Sequence, residues 1–188
     1  MSVASPDSPH PVARPAEVVR FWAEAGPERW FRKDEAFDRD FRERFLPSHE
    51  AAAHGRLAVW GTSAEGSLAL LVLLDQFPRN AFRGSARMYA TDALARTIAH
   101  QAVAAGHDRQ VADPGLRNFF YLPYMHSEWL PDQLRAVALA RGTPSEPHAC
   151  EHHEIVERFG RFPHRNALLG RPSTRAELDF LAGGGFAG

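Results

Sequence analysis

Two near-matching proline turns punctuate this chain: Gln76-Phe77-Pro78-Arg79-Asn80, and Arg161-Phe162-Pro163-His164-Arg165-Asn166. In both, a run of helical periodicity meets an aromatic residue, a proline, and then arginine and asparagine. Proline lacks a backbone N–H and disfavours helical angles in the residue before it, so each turn reads as a helix stop, with Phe77 pushed towards extended backbone by Pro78. A chain stopped twice in the same chemical way is built from helices folded back on one another.

The runs between these stops carry helix signals. Val18, Val19, Phe21, Trp22 and Ala25 recur at spacings of three and four, the mark of an amphipathic helix over Ala16 to Ala25. Asp34 caps a second helix, whose Phe37, Phe41 and Phe45 share one face until Pro47 kinks or ends it. Thr62 and Glu65 have capping-box spacing ahead of Leu68 to Asp75, which is apolar on nearly every side and is read as the core helix, ending near Gln76. Further helices are expected from Thr91 or Asp92 to Gly106, from Asp113-Pro114 to about Leu122, and from near Pro131 to about Gly142. The last two run from His148 to Phe159 before Gly160, and from the Thr174–Glu177 capping box to the Gly183-Gly184-Gly185 stop.

No stretch alternates convincingly enough for a strand; Leu57 to Trp60 comes nearest and is too short. The expected fold class is therefore all-α, with about eight helices stacked as antiparallel hairpins in the manner of helical-repeat proteins, although no sequence repeat of fixed period can be counted. Residues 1–14 are read as a flexible leader and 15–188 as a single domain.

Composition removes several function classes. The 22 basic residues face 23 acidic ones, which leaves no cationic excess to hold a nucleic acid. Cys150 is the sole cysteine, so no internal disulfide forms and a reducing cytoplasm is expected. The longest apolar run, Leu68 to Leu74, is far shorter than the ~20 residues of a membrane-spanning helix. No nucleophile elbow, phosphate loop, dinucleotide fingerprint or Cys-x-x-Cys pair occurs, and no cofactor is assigned.

The polar residues of the two turns admit two readings. As helix-end staples, Arg79 and Arg165 satisfy terminal carbonyls while Asn80 and Asn166 cap the next segment. As a ligand site, the two guanidinium groups converge on one anion, with His164 as a further donor or titrating group. His126 and Glu128, behind the apolar Tyr121 to Met125, are candidates for an acid/base pair, and capping or ion pairing is the structural alternative for Glu128. His148 and His152 lie one turn apart and offer two metal ligands, for which Glu128 or His126 would have to supply a third.

In order along the chain, Leu73 to Asp92, Tyr121 to Glu128 and His152 to Thr174 resemble the bacterial domain-of-unknown-function 924 family, and Phe21-Trp22, Trp30-Phe31 and Lys33-Asp34 fit its opening segment. The resemblance spans nearly the whole chain. It implies an all-helical fold similar to tetratricopeptide-repeat proteins and no particular reaction. The polar signature it implies falls on Asp75, Gln76, Arg79, Asn80, His126, Glu128, His152, Arg161, His164, Arg165 and Asn166. Pro131 departs from the family pattern and puts the start of its helix in question. Two functions remain open: a binding protein or enzyme that holds a small anionic or carboxylate-bearing ligand in a polar groove between the turns, and a helical scaffold for a peptide or protein partner.

Overall fold

The computed structural model describes residues 11–188. Residues 1–10 of the expected leader lie outside the described residues; by Ala13 the chain is already docked, its N–H donating to Ser48 Oγ at 2.9 Å. Among the described residues there is helix and turn but no strand, and the protein is all-α. No helix is long and apolar enough to cross a membrane.

The helices are α1 (Pro15–Ala25), α2 (Pro27–Trp30), α3 (Glu35–Ala53), α4 (Ala64–Leu71), α5 (Phe77–Ala81), α6 (Asp92–Ala104), α7 (Pro114–Arg117), α8 (Leu122–Met125), α9 (Leu130–Ala140), α10 (Glu146–Phe159) and α11 (Arg175–Ala182). A π-helical turn over Val72–Gln76 joins α4 to α5. Each expected helix has a counterpart. The caps at Asp34 and Asp113 accept two backbone N–H groups each, and Thr174 with Glu177 forms a reciprocal capping box. Pro131 fits because it occupies the first turn of α9, where a missing N–H costs nothing.

The core forms around the rod of α4 and the π turn, where Leu68 through Leu74 are all buried. α1, α3 and α6 pack round it. The Phe37, Phe41 and Phe45 stripe of α3 meets Phe21, Trp22 and Phe77 at centroid separations of 5.1 to 6.1 Å. Each such ring contributes on the order of 2–3 kcal/mol through burial.

Several local expectations are corrected. The cap of α4 is Ser63, whose hydroxyl accepts from Gly66 N–H, while Thr62 donates to the Val59 carbonyl. The segment after Asp113 is broken into α7, a 3-10 turn over Asn118–Phe120, and α8, because Pro123 cannot donate into a continuous helix. α3 runs through Pro47 to Ala53.

The largest correction concerns the first proline turn. Pro78 does not stop its helix: Phe77 has φ −52° and ψ −47°, and its N–H reaches back five residues to the Val72 carbonyl. The widened π turn makes room for the pyrrolidine ring, and the carbonyls it releases find side-chain donors. Leu73 accepts from His49 Nδ1 at 2.8 Å, Leu74 from Thr91 Oγ1 at 2.5 Å, and Asp75 from Arg79 Nη1 at 2.7 Å. The second turn does behave as a stop. Gly160 is left-handed at φ 69°, Phe162 is extended at φ −87° and ψ 110°, and Pro163 opens a 3-10 turn.

Candidate functional site

The two turns meet through one carboxylate. Asp92, the first residue of α6, accepts both Arg79 Nη1 and Nη2, at 2.8 and 3.0 Å. Its Oδ2 also faces Arg165 Nη1 at 3.4 Å. Asp92 stands out in the sequence only as a helix start, and nothing local marks it as the bridge.

Behind Arg79 lies Asp75, which the π turn points inward and which is 1% exposed. Its Oδ1 receives His126 Nδ1 at 2.7 Å and lies 3.2 Å from Arg79, and its Oδ2 receives Gln76 Nε2 at 2.6 Å. Burial opposes ionisation here, but the Arg79 and His126 partners outweigh it and hold the carboxyl well below the usual range. An ionised carboxylate only accepts, so Nδ1 of His126 carries the proton and Nε2 keeps its lone pair. Burial, then the Arg79 charge, lowers the pKa of His126 and favours the neutral ring.

Arg165 is 7% exposed and lies between two rings, its guanidinium carbon 4.7 Å from the Tyr89 centroid and 4.5 Å from that of Phe162. The 3.4 Å contact to Asp92 is its one side-chain hydrogen bond among the described residues, and Nε has no partner among them. Burial, then repulsion from Arg79, depresses its pKa. His152 and His164 each have a buried Nδ1 with no partner among the described residues. Burial and neighbouring positive or imidazole groups push His152 down to about 3 and His164 to about 4. Phe186 covers both, with ring centroids 4.7 and 5.1 Å away.

These groups line a cavity of about 530 Å³. Of the expected site residues, the cavity takes Gln76, Arg79, Asn80, His126, His152, His164 and Arg165, with Asp75 directly behind. The hydrogen bonds of four expected residues lead away from the cavity. Glu128 forms a two-point pair with Arg171, at 2.6 and 2.9 Å, and accepts Phe162 N–H at 2.8 Å. Arg161 forms its own two-point pair with Glu177, at 2.6 and 2.9 Å, and reaches the Pro172 carbonyl. Asn166 binds Ser173 and Arg171. Asn80, at the cavity wall, donates to Asp38 at 2.7 Å. The acid/base pairing of His126 with Glu128 is thus replaced by His126 with Asp75. His148 also lines the cavity, but among the described residues no group of three His, Cys, Asp or Glu side chains is placed to hold a metal ion.

Fold and site together define an all-helical protein with a partly open cavity, backed on one side by a buried Asp–His–Arg network. The chain belongs to the family described as bacterial proteins of unknown function, domain-of-unknown-function 924, whose model matches residues 18–185. It is similar to a protein of unknown function from Agrobacterium tumefaciens whose structure is solved. The two are 53% identical, the match covers 89% of this chain and 96% of that one, and the TM-score is 0.86. No curated protein matches the chain.

Proposed function

We propose that the cavity binds a small anionic, carboxylate-bearing ligand, with Arg165 as its principal contact. The supporting observation is a nearly buried guanidinium that lines the cavity with Nε unpartnered among the described residues and a single long hydrogen bond to Asp92. The Arg165 charge faces Asp92 and the rings of Tyr89 and Phe162, but most of its N–H donors are unspent, and a buried donor left unpaired is costly; a bidentate carboxylate supplies the acceptors it lacks. Arg79 stands behind it, its own fork occupied by Asp92. His126, which lines the cavity and whose Nδ1 is held by Asp75, is left with Nε2 as a hydrogen-bond acceptor for a donor on such a ligand. The single free thiol of Cys150 fits cytoplasmic residence.

A thermal-shift screen of small carboxylates tests this reading, since a ligand at a hundred times its Kd adds about 2.7 kcal/mol to stability. Arg165→Met is expected to weaken binding roughly 30-fold or more, in line with ~2–5 kcal/mol for truncating one partner of a buried charge pair. A folded Arg165→Met protein with undiminished affinity would rule the contact out.

A second reading, a scaffold for a peptide or protein partner, draws support from Trp129, Leu130 and Leu134, which leave apolar surface exposed at the start of α9. It predicts a defined crosslinked partner at α9 that Leu134→Glu loses without a change in thermal midpoint. Crosslinking that is the same for both proteins excludes it.

A further inference from the structure

The rest of the cavity wall specifies what the anion is attached to. Away from Arg165 and the histidines, Trp30 and Phe31 at the end of α2, Met88, and Leu122 and Met125 of α8 supply apolar surface beside polar groups such as Asn118 and Ser145, and the lining surface is predominantly apolar. A cavity of about 530 Å³ is far larger than a carboxylate group. It falls among pockets of roughly 300–1,000 Å³ that enclose most of a drug-sized ligand between apolar walls and a few fixed polar groups. A bare anion on Arg165 would leave those walls against water, with no contribution from their burial.

Charge narrows the head group. Arg79 is neutralised by Asp75 and Asp92, and Arg83, also at the wall, is paired with Asp38 at 2.7 Å. His126, His152 and His164 are all held towards their neutral forms by burial. Arg79 and Arg165 together balance Asp75 and Asp92 in charge, but Arg165 keeps unspent donors, with Nε unpartnered among the described residues and one long bond to the shared Asp92. That suits a single carboxylate and leaves no further cation for a second negative charge.

From this geometry we infer that the ligand is an amphiphilic monocarboxylate, an acyl or aryl chain of medium size whose carboxylate sits on Arg165 and whose apolar body lies against Trp30, Met88 and Leu122. The inference rests on the anion-binding reading above. Its distinguishing consequence is chain-length dependence. Each methylene moved from water to the wall tightens binding about four-fold, so affinity rises on the order of a hundredfold from butyrate to octanoate.

The experiment is calorimetric titration of the full chain at neutral pH with acetate, butyrate, octanoate, 3-phenylpropionate and inorganic phosphate, repeated on Arg165→Met and Phe31→Ser. Phe31 is 66% exposed at the wall, so its replacement leaves the fold intact. Expected are a graded rise from acetate to octanoate, 3-phenylpropionate binding more tightly than butyrate, and phosphate weaker than octanoate. Arg165→Met should lose octanoate binding. Phe31→Ser should weaken octanoate several-fold and leave acetate unchanged. If acetate or phosphate binds as tightly as octanoate and needs Arg165, the anion site stands and the amphiphile is overturned. Octanoate that binds Arg165→Met equally well is adhering to apolar surface, which overturns the inference, and no binding by any of the five removes both readings.

Discussion

Asp75→Ala lowers the thermal midpoint by roughly 10 °C. The carboxylate is 1% exposed and simultaneously compensates Arg79 and accepts from His126 and Gln76. Its removal leaves a buried guanidinium with half its counter-charge and an imidazole N–H with no acceptor. Breaking a buried pair by deleting one partner costs about 3–5 kcal/mol. For a domain of this size each kcal/mol moves the midpoint by about 2–4 °C. Asp75→Asn keeps the shape and one acceptor oxygen and should fall between wild type and alanine. The loss reaches beyond electrostatics, because the Arg79 fork also caps the carbonyl of residue 75 released by the π turn. A calorimetric midpoint within about 2 °C of wild type would show that the network carries little stability.

The second large effect is acid lability that begins well above the carboxylate range. His152 and His164 titrate at about 3 and about 4 in the folded protein, against about 6.5 in an unfolded chain. As pH falls below about 6.5 the unfolded state takes up protons that the folded state refuses, so the native state loses ground until the folded values are reached. Each imidazole contributes a slope of up to about 1.4 kcal/mol per pH unit. Two of them, with partial solvent access trimming the figure, give a loss on the order of 3 kcal/mol between about pH 6.5 and 5. His49 and His126 shift in the same direction, each chiefly through burial, and steepen it. Below about pH 4 the depressed carboxyl of Asp75 adds its own loss, since stability from a lowered acid is present above its unfolded pKa and lost as pH falls. Urea unfolding at pH 7.5, 6 and 5 measures this, and His152→Phe should flatten the profile by about one proton. A midpoint that is constant from about pH 6.5 to 5 contradicts the burial of these rings.

Much of the architecture was legible because helix signals are local. The Phe37, Phe41 and Phe45 stripe, the caps at Asp34 and Asp113, the Thr174–Glu177 box and the Gly160 stop each involve atoms within about a turn of one another. The same locality made the two proline turns look equivalent. They differ because helix continuity at Pro78 depends on who receives the released carbonyls, and two of the donors, His49 and Thr91, come from other segments.

The site was legible only as a set of residue types. Polar residues crowded on the two proline turns pointed to Arg79, Arg165 and His164, the apolar lead-in from Tyr121 to Met125 pointed to His126, and these four do line one cavity. Which of them are available was not readable. Glu128 and Arg161 carry the same chemistry as Asp75 and Arg165, yet Arg171 and Glu177 occupy them. Asp92, which ties the turns together, resembles any acid in a first helical turn.

The amino-acid order by itself determined where helices begin and which face of each is apolar, since those preferences are settled within a few residues by backbone sterics, capping and side-chain periodicity. Only the tertiary structure decided that the turns converge, that Asp75 orients His126, and that Arg165 is left facing a cavity. Those pairings join groups 13 to 73 residues apart, and their energies depend on distance and burial that no local pattern encodes.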